Sequence, residues 1–407
     1  MHDEYNALIQ QGTWTLVFLP PTKKLLVANG CFVSRKILMV PLLGIKPEKE
    51  VYMHQPIGFV DNTHPSMVCK INKALYGLKQ APRAWFSTFS SFLLIQGFKA
   101  NHCDSSLFVK KTCHFITILL MYVDDILVTG NDSYYIFTLI TQMHSTFFMK
   151  ELGLLKYFLG ISVTSSFSSY FLSQKKYATE MLVKASMTNC KSSPSPMTFK
   201  SSIDQEDFPF SHPSLYRSLI GALQYLTITR PDLAFVVNHA CQFLQTPFTS
   251  HFALVKRLLR YLKGTLHLGL QFSPDLLTLH AFSDSDWAGC SLDRRSTTGY
   301  CVFLGPNLIS WSAKKQPTVS RSFIEAGYRA LAQTATELSW IGMLLSDLSI
   351  SVSAPTLWCD NMSAISLSNN PMFHARSKHI EVDYHMFRKG CSQEVEYSSH
   401  LICGSAG

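Results

Sequence analysis

The chain has 407 residues, of which 47% are hydrophobic and 15% are charged. At roughly 100–200 residues per domain this length predicts two or three domains, and the apolar composition excludes an intrinsically disordered protein. Lysine and arginine number 36 against 27 aspartates and glutamates, and the formal net charge of +9 favours polyanionic partners without identifying one.

The sequence shows no membrane-spanning or secretory segment. The longest apolar run, residues 115–123, is far shorter than the roughly 20 residues needed to cross a bilayer. The N-terminus lacks a basic start followed by an apolar stretch, so we expect an intracellular protein of the cytoplasm or nucleus with no membrane partner. The 11 cysteines include no Cys-x-x-Cys pair, which favours reduced thiols over disulfides or structural zinc.

Helical and strand-like segments alternate in the first half of the chain. Apolar residues at helical spacing predict a helix over 83–95, and a β-branched and aromatic run predicts a strand over 115–121. A second helix is predicted over 139–148 and a second strand over 157–163. An α+β domain fits this alternation best.

The middle of the chain contains a predicted linker and then helices. A Ser/Pro-rich and acidic stretch near 190–214 has the composition of a loop or linker, and helical patterns follow over 213–263. The last pattern separates apolar from basic residues and is as compatible with a solvated face as with nucleic-acid binding. Its basic residues are Lys256, Arg257, Arg260 and Lys263.

A third region begins near Leu277. Its pattern predicts three strands, a helix over about 322–346, a strand over 356–360 and a further helix, which together describe a small mixed α/β domain. Residues 390–407 show no usable pattern.

Two adjacent acids, Asp124 and Asp125, follow the apolar run directly. If the run forms a hairpin, both side chains reach one rim, and their oxygens suit a divalent cation such as Mg²⁺. An ordinary Asp-Asp turn is the plain alternative, and the surrounding sequence is needed to decide between the two.

Strings in a fixed order supply that context. The string Leu-Tyr-Gly-Leu-Lys-Gln-Ala-Pro-Arg-Ala-Trp at 75–85, followed by Tyr-Val-Asp-Asp at 122–125, resembles the reverse transcriptase palm of copia-type retrotransposons. The final region resembles the ribonuclease H domain that is attached to it. Further matching strings stand at 51–59, 156–161, 230–232, 260–265, 284–289, 293–300, 310–316, 358–361 and 374–382.

The resemblance implies a degenerate fragment of a Pol polyprotein with a right-hand polymerase fold and shortened fingers. The implied parts are a fingers remnant at 1–50, a palm at 51–165, a thumb or connection segment at 166–276, a ribonuclease H-like α/β domain at 277–390 and an unrelated tail at 391–407.

The resemblance also implies RNA-directed DNA synthesis and removal of RNA from the hybrid, each with two Mg²⁺ or Mn²⁺ ions per intact site. The implied partners are an RNA template, a DNA primer, their hybrid and deoxynucleoside triphosphates. The implied catalytic acids are Asp124, Asp125, Asp284, Asp360 and Glu381, the first four as metal ligands, with Asp383 as the alternative to Glu381. The implied nucleotide and template contacts are Gln80, Ala81, Pro82, Arg83 and Tyr122.

Two positions depart from the family pattern. Ile37 stands where a third palm acid is expected, and the basic strands of the fingers are absent. Gly327 stands where the ribonuclease H helix carries a glutamate, and Glu325 projects roughly 200° away around the helix. The sequence leaves open an impaired enzyme, a non-catalytic nucleic-acid-binding remnant and a poorly folded chain.

Overall fold

The structure is a computed structural model, and its described residues are 12–20, 25–26, 50, 52–56, 58–72, 81–123, 125–147, 149, 151–198, 207–369 and 396–398. They belong to two compact units, 1–154 and 155–407. No helix in these ranges is long and apolar enough to cross a membrane. Of the 11 cysteines, the 8 that fall in these ranges are free thiols.

Two sheets and two helices make up the described part of the first unit. The first sheet has the strand order β1-β4-β3-β2 and the second the order β5-β6-β7-β8. The elements are β1 (Trp14–Val17), β2 (Leu25–Leu26), β3 (Tyr52–Met53), β4 (Val68–Ile71), α1 (Ala81–Ile95), β5 (Lys99–Ala100), β6 (Leu107–Lys111), β7 (Ile116–Tyr122), β8 (Asp125–Gly130) and α2 (Ser133–Thr146).

The core of this unit lies between the second sheet and its helices. Strand β7 alternates in burial, so that Leu119 and Met121 face Phe89 of α1 and Leu139 of α2 in one cluster. Helix α2 begins before the predicted position 139, because the Asp132 carboxylate accepts the Tyr135 N–H at 3.0 Å and caps the helix there.

The described part of the second unit begins with a small sheet and four α-helices, with a 3-10 helix at Pro231–Leu233 before the third of them. The sheet has the order β12-β11-β10-β9. The elements are β9 (Tyr157–Phe158), β10 (Ile161–Ser166), β11 (Ser169–Ser173), α3 (Lys175–Lys184), α4 (Pro213–Leu226), α5 (Ala234–Cys241), α6 (Thr249–Gly264) and β12 (Leu270–Phe272).

A tight turn divides the strand predicted over 157–163 into β9 and β10. Leu159 and Gly160 both have positive φ, at 46° and 76°, and the Tyr225 hydroxyl donates to the Leu159 carbonyl. A Cβ at position 160 would stand 2.7 Å from the Tyr225 oxygen, so both the backbone conformation and the available space require glycine there.

A five-stranded mixed sheet with the order β15-β14-β13-β16-β17 completes the second unit. Strands β13, β16 and β17 are parallel, whereas β14 runs antiparallel to β13 and β15. Helix α7 covers one face, where Tyr328 and Leu331 pack on Ala281 and Leu357. The elements are β13 (Leu279–Ser285), β14 (Thr297–Leu304), β15 (Asn307–Lys315), α7 (Phe323–Asp347), β16 (Thr356–Cys359), α8 (Met362–Asn369) and β17 (Glu396–Ser398).

The structure divides the chain differently from the predicted boundaries. The predicted palm extends to residue 165, but β9 and β10 pair with β11, so they belong to the second unit. No division separates 166–276 from 277–390, because Trp311 of β15 donates to the Thr227 carbonyl at 3.1 Å. The predicted tail 391–407 contributes β17, which extends the sheet through backbone pairing with β16.

The predicted linker near 190–214 packs on α6 over its described first part. The Ser193 N–H donates to the Arg260 carbonyl at 3.2 Å, and the Arg257 guanidinium donates to the Ser195 hydroxyl at 2.7 Å. Residues 190–198 therefore form a loop fixed on a helix, while 199–206 lie outside the described residues.

An ion pair between a buried arginine and an aspartate that is 32% exposed joins the segment before α5 to the end of α6. The Arg230 side chain is 4% exposed, forms two hydrogen bonds with the Asp232 carboxylate and donates to both oxygens of Thr265. The Tyr261 hydroxyl also donates to Asp232, at 2.9 Å. Burial alone would raise the pKa of Asp232, but hydrogen bonding and the charge of Arg230 lower it overall.

Asp232→Asn leaves the buried Arg230 charge without its partner, and we expect it to lower the free energy of unfolding by about 3 kcal/mol. Urea denaturation of the full chain measures this difference. Glu50→Gln is the control, because its ion pair with Lys70 is exposed on both sides, at 49% and 35%, and is screened by water. An equal loss in both variants would contradict the assigned role of the Arg230–Asp232 pair.

Two histidines lie close together on α5 and α6. Burial, and then the charge of Lys315, lower the pKa of His239 below its usual range. Burial also lowers the pKa of His251, with Asp207 opposing this effect and His239 reinforcing it. The Phe248 N–H donates to His251 Nδ1 at 3.0 Å, so the neutral ring supplies the lone pair that fixes the start of α6.

We expect the second unit to lose stability as the pH falls below the ordinary histidine pKa of about 6.5. The folded state holds both rings neutral, so the unfolded chain binds more protons in that range and acid favours unfolding. Urea denaturation at neutral pH and at about one unit below 6.5 measures the effect. Replacing His239 and His251 by glutamine should make the free energy of unfolding less dependent on pH. If the pH dependence does not change, other groups cause it.

Candidate active sites

The first candidate site is the tip of the β7–β8 hairpin. Tyr122 of β7 pairs directly with Asp125 of β8, so both side chains lie on one face of the sheet, and both are exposed. Val123 follows in the turn with a φ of 52°. Asp124 lies outside the described residues. The described geometry therefore places Asp125, one of the two predicted palm acids, at the accessible tip of the hairpin.

Trp85 connects the helix-entry motif to this hairpin. The Trp85 indole N–H donates to the Val123 carbonyl at 2.6 Å, and its ring is stacked on Phe89 and edge-on to Phe147. The bond holds a β-branched residue in the left-handed region that such residues avoid. Buried packing of α1 thus fixes the backbone of Val123, close to Asp125.

The predicted nucleotide and template residues start helix α1. Ala81 is its first residue, and Pro82 and Arg83 follow as exposed residues of the first turn. Gln80 lies outside the described residues. Trp85 follows in the second turn and donates to the Val123 carbonyl, so the helix and the hairpin are joined, while Arg83 and Asp125, both described, form no ion pair with each other.

The second candidate site is the carboxyl edge of the five-stranded sheet. The register pairs Ser283 of β13 with Cys359 of β16, and Asp284 and Asp360 are the next residue on each strand. Because the strands are parallel and adjacent, both carboxylates emerge at the same edge. Both are exposed, and neither forms an ion pair with a described residue.

The electrostatics of Cys359 support this proximity. Burial raises the pKa of the Cys359 thiol, and the charges of Asp360 and Asp284 raise it further, while the Asn361 N–H opposes them. Two carboxylates therefore act on one buried sulfur without a neutralising cation among the described residues. Such a pair suits one hard divalent cation that is also held by water and substrate phosphate.

The space beside Gly327, where the resemblance implied a glutamate, is occupied by a neighbour. A Cβ at Gly327 would stand 2.4 Å from Asn361 Nδ2 and 3.1 Å from its Cγ. Asn361 is held there, because its amide donates to the Phe323 carbonyl at 3.3 Å and accepts the Ala364 N–H at 3.0 Å. The space beside Gly327 is therefore closed by a side chain that caps α8.

Glu325 faces other partners. Its carboxylate accepts the Arg321 N–H at 2.9 Å and forms an ion pair with Arg329 at 2.7 Å. It lies in the first turn of α7, where Arg321 and Arg329 engage it. Glu381 and Asp383 lie outside the described residues. Among the described residues no group of three or more His, Cys, Asp or Glu side chains could hold a metal ion.

The basic residues of α6 mostly serve the fold. Three of them donate to the 190–195 loop. Arg257 donates to Ser195 Oγ, Arg260 to the Lys191 carbonyl and Lys263 to the Cys190 carbonyl. Lys256 is exposed and lies 5.0 Å from the centre of the Phe252 ring. Three of the four predicted nucleic-acid contacts are thus half-buried donors within the second unit, and Lys256 is the accessible one.

Known proteins resemble the chain over most of its length. Residues 40–199 match the family described as reverse transcriptase (RNA-dependent DNA polymerase). The Pol polyprotein of transposon RE2 from Arabidopsis thaliana is 44% identical over 358 residues, which are 86% of this chain and 25% of that protein. The Pol polyprotein of transposon TNT 1-94 from Nicotiana tabacum is 37% identical, over 85% of this chain and 27% of that protein.

The chain therefore spans about a quarter of the length of these relatives. Among solved structures, a foamy viral protease-reverse transcriptase in complex with dsDNA aligns with a TM-score of 0.50 at 10% identity, over all of this chain and 83% of that one. At this identity the likeness concerns the fold alone.

Gly327→Ala should destabilise the second unit by about 1 kcal/mol, because displacing Asn361 sacrifices two hydrogen bonds and outweighs the gain in helix propensity. Gly342→Ala is the matched control in the same helix, since nothing lies within 4 Å of a Cβ there. We expect the control to stabilise by up to about 1 kcal/mol. Thermal unfolding of both variants measures the difference. If both substitutions stabilise the protein, the Asn361 side chain moves aside at no cost in stability.

Proposed function

Because the chain belongs to the family of copia-type retrotransposon Pol polyproteins, in their reverse transcriptase and ribonuclease H region, we propose that it acts on RNA–DNA hybrids and that its turnover is impaired. The observation that carries the proposal is the register of β13 and β16, which sets Asp284 beside Asp360 at the carboxyl edge of the sheet. An RNA template, a DNA primer and deoxynucleoside triphosphates are the proposed partners of the palm.

Both reactions displace an oxygen from phosphorus in line, and bound Mg²⁺ or Mn²⁺ would stabilise the attacking and leaving oxygens. The residues proposed to hold the cation at the second site are Asp284 and Asp360, whose carboxylates are exposed and adjacent. In the palm the proposed ligands are Asp124 and Asp125. Trp85 positions that hairpin by fixing its turn carbonyl.

The impairment follows from the side chains that are missing. Two carboxylates suffice for one cation, whereas a two-metal centre requires further ligands. The helix position carries Gly327 instead of an acid, and Glu325 is engaged by Arg329. Ile37 stands at the position of the third palm acid and lies outside the described residues. Loss of one member of a catalytic unit commonly reduces the rate by orders of magnitude.

The alternative function is nucleic-acid binding without turnover. Gly327 favours it, because this helix position carries no side chain that could complete the metal site. The basic excess of the chain, with Lys256 exposed on α6, would then hold phosphates in a salt-dependent manner.

The first experiment is hybrid cleavage by the purified full chain. Gly327→Glu restores the carboxylate, and Asn361→Ser in the same chain shortens the obstructing side chain while keeping a residue that caps helices well. We expect this double variant to cleave at least roughly a hundredfold faster than the unmodified chain. Asp284→Asn in the double variant should abolish the gain.

If the unmodified chain and the double variant both cleave the hybrid at equal, measurable rates, the proposed impairment is wrong. Hybrid binding without cleavage by the double variant would favour the non-catalytic alternative. Primer extension on an RNA template tests the palm in the same way, by comparing the unmodified chain with a variant that introduces the implied acid. There Ile37→Asp is the restoring variant, and Asp125→Asn in that background is its control.

A further inference from the structure

Two loops border the carboxyl edge of the five-stranded sheet. Strand β13 ends at Ser285 and β14 begins at Thr297, while β15 ends at Lys315 and α7 begins at Phe323. The loops 286–296 and 316–322 therefore lie at the same edge as Asp284. We call four of the exposed side chains of this border the rim, and they are Trp287, Arg294, Arg321 and Phe323.

The two loops are locked to each other. The Trp287 indole donates to the Ser320 carbonyl at 3.2 Å, and the Arg295 guanidinium donates to the Pro317 carbonyl at 3.3 Å. Inside the first loop, Asp286 accepts the Thr297 N–H at 2.7 Å. The rim thus stands on a fixed backbone, which limits the entropy lost when a ligand is bound.

The charges of this border separate into paired and unpaired groups. Asp293 binds both Arg295 and Lys315, and the hydrogen bonds from Lys315 and Arg295 hold the pKa of its carboxyl well below the usual range. Arg294 and Arg321 are exposed and form no ion pair or side-chain hydrogen bond with any described residue. Two guanidinium groups therefore face solvent beside the site.

The backbone presents Arg294 in an unusual conformation. Its φ is 57°, in the left-handed region, and its N–H donates to the Cys290 carbonyl at 2.8 Å. Its side chain is exposed, so this turn holds the guanidinium at the surface of the border.

Large rings accompany the two guanidinium groups. Trp287 is 51% exposed and Phe323 is 50% exposed. The Trp287 bond to Ser320 anchors the nitrogen edge of the ring, so its position is fixed although half of its surface is wet. An anchored Trp287 ring, an exposed Phe323 ring and two unpaired arginines combine the groups that bind an unpaired nucleic-acid strand, by stacking on bases and by contact with phosphates.

We propose that the rim binds a single-stranded nucleic-acid segment next to Asp284 and Asp360. Base pairs in a duplex hide their faces inside the stack, whereas an unpaired strand offers them to Trp287 and Phe323. The inference rests on the proposed function in that the bound strand would continue the hybrid. Binding itself needs no metal ion and no turnover.

The test is the affinity of the full chain, in chelator, for labelled oligothymidylate and for an abasic strand of equal length. Arg294→Gln with Arg321→Gln should weaken both strands and reduce the slope of log affinity against log salt by about 1.4, at about 0.7 for each phosphate contact of a single strand. Trp287→Leu or Phe323→Leu should weaken oligothymidylate about tenfold and leave the abasic strand unchanged.

Trp340→Leu is the matched control, since Trp340 is 40% exposed on α7 and lies outside the rim. Phe323→Leu removes no side-chain hydrogen bond, so it remains informative if Trp287→Leu disturbs the loop. Unchanged affinity in the rim variants, or no binding of either strand by the unmodified chain, would overturn the proposal.

The experiment separates the rim from the proposed function. If the rim binds single strands but the Gly327→Glu/Asn361→Ser variant cleaves no hybrid, the proposed enzymatic function is wrong and the proposed strand binding stands. If the double variant cleaves hybrids but the rim variants bind single strands with unchanged affinity, the proposed strand binding is wrong and the proposed enzymatic function stands.

Discussion

The parallel pairing of β13 with β16 is the constraint on which the second candidate site depends. It joins residues 283 and 359 in one register, and the next residue on each strand is an aspartate. Leu279, Ala281 and Leu357 are buried against α7, so a slip of one residue would turn these apolar side chains to the other face. Burial of one face thus fixes the position of two charges that take no part in that burial.

Several strings that identify the family serve packing rather than chemistry. Arg230 and Asp232 bind Tyr261 and Thr265, so the strings at 230–232 and 260–265 are the two halves of one buried network. Gln316 donates to Thr298 and to the Ala326 carbonyl, and thereby ties β14 to the start of α7. A buried polar group without a partner is costly, so such strings are constrained together.

The sequence predicted elements whose signal is local. The helix predicted over 83–95 matches α1, and the one predicted over about 322–346 matches α7, because apolar spacing and caps act within a few turns. It missed β17, whose three residues become a strand only by pairing with β16, which lies far away along the chain. The same holds for the site: the acids were found by resemblance, whereas Asn361 beside Gly327 became visible only from the close approach of α7 and α8.

The two aspartates at the sheet edge also set a condition for nucleic-acid binding. Without a cation they present two negative charges to any phosphate, a repulsion that acts over the Debye length of about 10 Å at ordinary ionic strength. Glu325 adds no further charge, because Arg329 pairs with it. Asp286 is a third exposed carboxylate at this edge and accepts the Thr297 N–H. Arg294 and Arg321 lie at the border with no carboxylate partner among the described residues, so they offset two of these three negative charges. A strand can therefore approach this edge through the rim while the carboxylates lack metal, so binding and catalysis depend on different side chains.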